Sequence, residues 1–180
     1  MKKSIVIFAI FLLAAQVGVA QEEESYKWGI ETELIQPFIP NIGIFNLQLT
    51  RNVFSNDTQK GDLVLGAYLR PNVEHDVVDE IDEYMFYTAY RHYFWQGLHV
   101  EAGLNTGYYW GYDNLIDGMD YEGLAMFWEA NIGYKFNIGS SRFYVLPQFG
   151  GLGNIVADIG PRGGKSDNFI QGNLFIGYNF

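Results

Sequence analysis

The chain has 180 residues and a formal net charge of −10, set by 21 acidic against 11 basic side chains. This acidity argues against binding to nucleic acid, which requires a basic surface facing the phosphate backbone. The sequence contains no cysteine, so it predicts no disulfide framework, no thiolate metal site and no lipid-modified N-terminal cysteine.

The N-terminus has the pattern of a secretory signal peptide. Two lysines precede an apolar run over residues 5–15, and a small-residue cleavage motif ends at Ala20. The apolar run is shorter than the ~20 residues that a membrane-spanning helix needs. We therefore expect residues 1–20 to be a cleaved signal peptide and residues 21–180 to form one exported domain.

Eight segments in which apolar and polar residues alternate follow in chain order. They are 26–36, 42–52, 62–70, 84–95, 98–110, 121–136, 142–154 and 168–180. This period of two is typical of β-strands with two different faces, and about ten residues suffice for a tilted strand to span a membrane. Closed barrels are the one strand arrangement that satisfies every backbone hydrogen bond in lipid. The sequence therefore predicts an all-β fold, an eight-stranded antiparallel up-and-down transmembrane β-barrel.

The composition of the two strand faces indicates which face meets lipid. In the fifth segment, Val100 and Leu104 alternate with Glu101 and Asn105. The polar faces consist largely of Gly, Asn, Gln and Tyr, whereas the water-exposed face of a soluble barrel would be rich in charged residues. Aromatic residues of the apolar face fall near the segment ends, as in the two aromatic girdles of membrane barrels. We expect the apolar face to point outward and the polar face to line the interior.

Connection lengths predict the orientation of the chain, because outer-membrane barrels have short periplasmic turns and longer outer loops. The long connections assigned to the outer side are 71–83, 111–120 and 155–167. Tight turns are expected at Gln96-Gly97 and Gly139-Ser140. Two connections contradict the alternation, since 37–41 is short for an outer loop and 53–61 is long for a periplasmic turn.

The turn at Gln96-Gly97 makes a prediction about strand register. A two-residue turn would pair Trp95 with Leu98, which the face assignment puts on opposite sides of the sheet. We therefore expect a three-residue turn or a bulge, which would place Arg91 opposite Gly103.

A two-residue turn at Gly139-Ser140 predicts that Phe136 pairs with Phe143, both on the apolar face. In the strand that follows, Pro147 lacks a backbone N–H for the sheet. A bulge or another irregular site is expected there.

The last strand carries a family resemblance. In GNLFIGYNF, the residues Leu174, Ile176, Tyr178 and Phe180 alternate up to a terminal Phe, which resembles the terminal-strand signal of outer-membrane β-barrel proteins. The exported chain resembles the small barrel class that includes OmpX, OmpW and the OmpA transmembrane domain, and residues 90–104 resemble a strand–turn–strand of Bacteroidota barrels. The resemblance implies a Gram-negative outer-membrane location and assembly by the barrel-assembly machinery. It also implies contact with outer-membrane lipids and lipopolysaccharide.

Charged side chains on the face assigned to the interior predict a structural network. Its members are Glu31, Arg91, Glu101, Glu129 and Lys135, with Glu33 on the same face. Because an unpaired buried charge is costly, we expect the glutamates to bridge Arg91 and Lys135. A gated proton or ion path is the functional alternative, but eight strands leave an interior only wide enough for side chains.

The leading hypothesis is a non-enzymatic outer-membrane barrel, without a cofactor or a defined metal site, that has a structural or surface-interaction role. One alternative is passage of small hydrophobic molecules, as suggested for OmpW-like barrels, through a side opening near Pro147 and the glycines 150, 151 and 153. A lipid A-modifying enzyme is another alternative, with His75 and Ser166 in outer loops as its candidates. A soluble periplasmic carrier is a fourth.

Acidic residues concentrate in two of the predicted outer loops. They are Glu74, Asp76, Asp79, Glu80, Asp82, Glu83, Asp113, Asp117 and Asp120. Divalent cations at these acidic outer loops would bridge them to lipopolysaccharide phosphates. The competing interpretation is a solvated surface that stays hydrophilic through mutual repulsion.

Overall fold

Long antiparallel strands make up most of the molecule. A computed structural model describes residues 26–40, 42–74, 80–113, 119–157 and 168–180. The strands are β1 (Trp28–Glu33), β2 (Phe45–Ser55), β3 (Lys60–Glu74), β4 (Glu80–Trp95), β5 (Leu98–Asp113), β6 (Met119–Tyr134), β7 (Phe136–Asn137), β8 (Phe143–Ala157) and β9 (Asn168–Asn179), and one short 3-10 helix spans Gln36–Phe38.

The sheet closes on itself. Its order is β6-β5-β4-β3-β2-β1-β9-β8-β7, and β6 also pairs with β8, which completes the ring. β7 continues the line of β6 after a break at Lys135, whose N–H donates to the carbonyl of Gly97 at 2.9 Å. Because β6 and β7 occupy one position in the wall, the protein is an eight-stranded up-and-down antiparallel barrel, as the alternation predicted.

The two faces of the wall differ as expected. On β5, Val100 and Leu104 are about 40 % and 41 % exposed, whereas Glu101 and Asn105 are 2 % and 6 % exposed. β3 repeats the arrangement, with Leu63 and Leu65 outward. The outside of the barrel is therefore apolar and its interior carries the polar side chains.

The connections sort to two ends of the barrel. β2 and β3 meet through residues 56–59, where the Asn56 side chain accepts hydrogen bonds from the N–H groups of Thr58 and Gln59. The first connection covers residues 34–44. Both connections that seemed inconsistent thus fit the short–long pattern, because β2 and β3 extend further, and β1 ends earlier, than the alternation indicated. We call the end with the tight turns the turn end and the opposite end the loop end.

The expected irregularity between β4 and β5 exists, but its predicted register was wrong. Trp95 pairs with Leu98 across a two-residue turn, and the extra residue is Phe94 of β4, between Tyr93 and Trp95. Because the bulge lies in β4 and not in the turn, Arg91 is directly opposite Glu101 rather than opposite Gly103.

The register at the Gly139 turn also differs from the prediction. Phe136 pairs with Val145 rather than Phe143, since the turn includes Ser141, whose N–H donates to the carbonyl of Ile138 at 3.1 Å. The shift of two residues keeps both faces intact. The irregular site expected at Pro147 corresponds to the break between β6 and β7, which lies across from it.

The side opening predicted near the β8 glycines is wrong. From Gln148 to Gly153, β8 is paired with β6 on one side and β9 on the other. Gly153 instead leaves room for the Trp128 indole, since a Cβ at that position would lie 2.2 Å from its Nε1.

The wall has a gap elsewhere. β1 ends at Glu33, opposite Phe175, so the first half of β9 has β8 on one side and no described strand on the other. We call this gap between residues 168–173 of β9 and the start of β2 the wall notch. The 3-10 helix lies in the connection beside it, because Pro37 favours a helical start over a further ladder residue.

Candidate functional site

An ion-paired layer crosses the barrel interior. Arg91 points inward from β4 and is 0 % exposed. Its Nη1 and Nη2 donate to the two carboxylate oxygens of Glu31 at 2.6 and 2.9 Å, and its Nε donates to Glu101 Oε2 at 2.6 Å. Glu101 is its partner on the adjacent strand, whereas Glu31 lies on β1, so the guanidinium connects separate parts of the wall. Charge-assisted, two-point pairing of this kind is strong and directional.

Two buried tyrosines complete the hydrogen bonding of these carboxylates. Tyr144 Oη donates to Glu31 Oε1 at 2.7 Å, and Tyr87 Oη donates to Glu101 Oε1 at 2.8 Å. Every oxygen of the two carboxylates therefore has a donor. Full satisfaction of this kind is what makes a buried charge tolerable.

Lys135 joins the layer through Tyr144. Its ammonium lies 3.8 Å from the centre of the Tyr144 ring, and it donates to Asn179 Oδ1 at 3.1 Å. A cation over an aromatic face is attracted by the ring quadrupole. The tyrosine thus links Lys135 to Glu31, a mediating role that the sequence analysis missed.

Glu129 belongs to a separate polar group. Its Oε1 and Oε2 accept from the side-chain amides of Asn131 at 2.7 Å and Asn105 at 2.9 Å. Of the five predicted network residues, the structure brings Glu31, Arg91 and Glu101 into direct contact. Lys135 and Glu129 lie on the same inner face with other partners.

Glu33, on the same inner face, ends the β1 ladder. Its Oε1 accepts from the N–H of Ile35 at 3.0 Å, and its Oε2 accepts from the N–H of Leu174 at 2.9 Å. The carboxylate thus provides the acceptor for the Leu174 N–H, while the N–H of Leu34 still donates to the Leu174 carbonyl at 2.9 Å. These contacts form the edge of the wall notch nearer the turn end.

Part of the interior near the loop end is apolar. Ile81, Met85, Tyr109 and Ala125 form a buried cluster there. This apolar cluster therefore fills part of the lumen between the ion-paired layer and the loop end.

Glu83 does not belong to the solvated outer acids with which the sequence grouped it. It accepts a hydrogen bond from Tyr68 Oη at 2.8 Å and lies 3.5 Å from Arg70 Nη1, so it is neutralised inside the barrel. Arg70 comes just before the predicted loop 71–83 in the sequence, so its pairing with Glu83 was not evident from the loop itself. Asp76, Asp79 and Asp117 lie outside the described residues.

The two described histidines, His92 and His99, make structural contacts. His99 is buried, with Nδ1 3.1 Å from the carbonyl of Gly97 and Nε2 3.1 Å from Gln148 Nε2, and a neutral ring protonated on Nδ1 satisfies both contacts. His92 points outward and contacts Tyr90 Oη at 3.2 Å. The candidates His75 and Ser166 lie outside the described residues.

Within the described residues, no group of three or more His, Asp or Glu side chains is arranged to hold a metal ion. None of the helices in the described ranges is long and apolar enough to cross a membrane.

Comparison with known proteins gives one distant similarity. No protein-family model matches the chain, and no curated protein matches its sequence. Among solved structures, the chain is similar to the crystal structure of the N-terminal β-barrel domain of Pseudomonas aeruginosa OprF. The identity is 15 %, the match covers 86 % of this chain and 98 % of that chain, and the TM-score is 0.46. This similarity is too distant to support the fold assignment, which rests on the strand pairing of the chain itself.

The ion-paired layer makes a stability prediction. Arg91→Ala leaves Glu31 and Glu101 buried without their cation, and we expect it to lower the free energy of unfolding by about 3 to 5 kcal/mol. Urea unfolding of the refolded barrel measures this. Adding Glu31→Gln and Glu101→Gln should recover part of the loss, because the stranded charges disappear. A change below about 1 kcal/mol for Arg91→Ala alone would show that water solvates the layer.

Proposed function

We propose that this protein is an outer-membrane β-barrel of a Gram-negative bacterium, of the Bacteroidota type that residues 90–104 resemble, with a structural or surface-interaction role and no catalytic one. It is exported by the signal peptide at residues 1–20. The observation that carries the proposal is the outward apolar face, which runs around the whole barrel. Exposed aliphatic and aromatic side chains cover it on every long strand; examples are Ile30, Leu47, Leu65, Phe86, Val100, Ile132, Phe149 and Ile170. A monomer in water does not expose a patch of this size, whereas a bilayer solvates it.

The position of outward charges supports a membrane-spanning band. Among outward strand residues whose side chains are described, the charged ones are Arg51, Asp82 and Glu122. Arg51 is near the turn end, and the two acids pair with Trp110 near the loop end. An uncharged band between them fits the hydrocarbon layer of a membrane.

Aromatic residues border this band on both sides. At the loop end, the Trp110 ring packs against Tyr84 at 5.5 Å and Tyr108 at 4.4 Å. At the turn end, Phe143 packs against Tyr178 at 4.9 Å. Two aromatic belts at the membrane–water interfaces are typical of outer-membrane barrels.

The filled interior favours a structural role over a pore. The ion-paired layer and the apolar cluster near the loop end fill the lumen, which leaves the surfaces of the barrel as the places where partners would bind. At the loop end, the proposed partners are lipopolysaccharide and divalent cations that bridge its phosphates to the acidic outer loops.

The first test of the proposal concerns location and conductance. The exported protein should fractionate with outer membranes and migrate differently on gels before and after boiling, because a closed barrel resists unfolding by detergent. In planar bilayers it should give no steady ion current, since Arg91 and its partners cross the lumen. Recovery from the soluble periplasm would refute the location, and large stable currents would refute the closed interior.

The second test concerns assembly through Leu174, Ile176, Tyr178 and Phe180, which we propose as the signal for the barrel-assembly machinery. Phe180 also exchanges two backbone hydrogen bonds with Trp28, at 2.8 and 3.2 Å, where the barrel closes. Deleting Phe180 should lower the outer-membrane level and increase periplasmic degradation, as measured by fractionation and blotting.

Phe169→Ala is the matched control for this deletion. Phe169 is an exposed phenylalanine at the other end of the same strand. This variant should keep normal membrane levels. Equal levels for the Phe180 deletion and the intact chain would show that the terminal residue is not needed for assembly.

The wall notch supports passage of small hydrophobic molecules as a second candidate function. Its surroundings expose Phe38 at 82 %, Ile170 at 79 % and Ile35 at 47 %. The ion-paired layer fills the lumen on the turn-end side of the wall notch. A molecule would therefore pass sideways between the loop end and the membrane rather than along the whole barrel.

A transfer assay tests this second candidate. Phe38→Ala should speed the uptake of a hydrophobic fluorescent dye into proteoliposomes by enlarging the wall notch. Phe86→Ala, which removes an exposed Phe from a fully paired part of the wall, serves as the control and should leave uptake unchanged. Equal rates for both variants and for empty liposomes would exclude passage.

A further inference from the structure

Arg51 is a cation on the apolar outer face. It lies on β2 in the same outward row as Leu49 and Val53, and it pairs with Leu63 on β3 and Trp28 on β1. The centre of its guanidinium is 5.0 Å from the Trp28 ring centre. The aliphatic stem therefore runs over apolar surface while the charged group is held on an indole at the edge of the band.

A second cation lies close to the same seam of the barrel. Arg142 precedes β8, and its guanidinium centre is 5.1 Å from the Tyr26 ring. Its carbonyl accepts from the N–H of Asn179 at the end of β9. We call Tyr26, Trp28, Arg51 and Arg142 the basic-aromatic rim; together they extend over the neighbouring strands β2, β1, β9 and β8.

Neither guanidinium of the basic-aromatic rim has a carboxylate partner among the described residues. The ion pairs found there, within 4.0 Å, involve Arg70 and Arg91. The outward acids Asp82 and Glu122 lie at the opposite end of the wall. Arg142 also hydrogen bonds to the hydroxyls of Tyr26 and Tyr178, so what both exposed guanidinium groups lack within the described residues is an anionic partner.

We propose that the basic-aromatic rim binds the phosphate of an anionic phospholipid headgroup in the leaflet at the turn end. The planar guanidinium matches phosphate with two parallel hydrogen bonds. Leu49, Val53 and Leu63 beside Arg51 offer apolar surface to the acyl chains of the same lipid.

The charge distribution favours phospholipid over lipopolysaccharide as the occupant. The inference rests on the proposed membrane location, in which the turn end faces the phospholipid leaflet. Among the described residues, the exposed cations Lys27, Arg51 and Arg142 lie at this end, where Asp57 of the β2–β3 turn is an exposed acid, whereas the outward charges near the loop end are the acids Asp82 and Glu122.

The headgroup preference of the lipids around the barrel tests the proposed site. The barrel is folded into phosphatidylcholine vesicles with and without phosphatidylglycerol, and spin-labelled lipids report how strongly each headgroup associates with it. The intact protein should prefer phosphatidylglycerol. Arg51→Gln and Arg142→Gln should each reduce this preference by about fivefold, the contribution of one cation near an anionic membrane surface.

The matched control is Lys60→Gln, which removes one positive charge at the same end. Lys60 lies over the Tyr93 ring inside the wall and is not part of the basic-aromatic rim. It should leave the preference nearly unchanged. An equal effect of Lys60→Gln and Arg51→Gln, or no effect of the double Arg variant, overturns the site and indicates only a diffuse surface charge.

Two further outcomes separate the possible failures. If inorganic phosphate at matched concentration abolishes the preference for phosphatidylglycerol, the ligand of the basic-aromatic rim is a free anion and not a lipid. Failure of the intact protein to fold into either vesicle would refute the membrane location itself, whereas folding without lipid preference refutes the basic-aromatic rim alone.

Discussion

The structure depends on one guanidinium, that of Arg91, shared by two carboxylates inside the barrel. Because Glu101 is its neighbour on the adjacent strand and Glu31 projects from β1, the ion pairs connect parts of the wall that backbone hydrogen bonds join only by going around the ring. The cost of removing three charges from water is met by complete hydrogen bonding, to which Tyr87 and Tyr144 contribute their hydroxyls. The interior is consequently a rigid layer rather than a channel.

The outer wall combines an apolar outer surface with paired strand backbones, whereas the interior pairs buried charges. Every long strand shows apolar side chains to the outside, and the strand backbones pair with one another around the ring. β1 is shorter than its neighbours because it ends at Glu33, whose carboxylate accepts the N–H of Leu174, while the N–H of Leu34 donates to the Leu174 carbonyl. A side chain thus ends a ladder without leaving that donor unsatisfied. This is why the wall notch lies beside β9 and not beside the β8 glycines.

The two ends of the barrel differ in charge as well as in connection length. The guanidinium groups of Arg51 and Arg142, which have no carboxylate partner among the described residues, lie on aromatic rings at the turn end, and the outward acids Asp82 and Glu122 lie at the loop end. A membrane with different headgroups on its two sides would hold such a molecule in one orientation. The same asymmetry gives the two ends different classes of partner in the proposed functions.

The sequence by itself determined the strand class, the number of wall positions and the faces, because alternation with a period of two is a local property of each strand. It also placed Glu31, Arg91 and Glu101 on the inner face for the same reason. Only the tertiary structure decided which of these side chains meet, since the bulge at Phe94 sets the register and ring closure brings β1 opposite β4. The role of Tyr144 and the early end of β1 depend on contacts between residues far apart in the chain, and no local pattern records them.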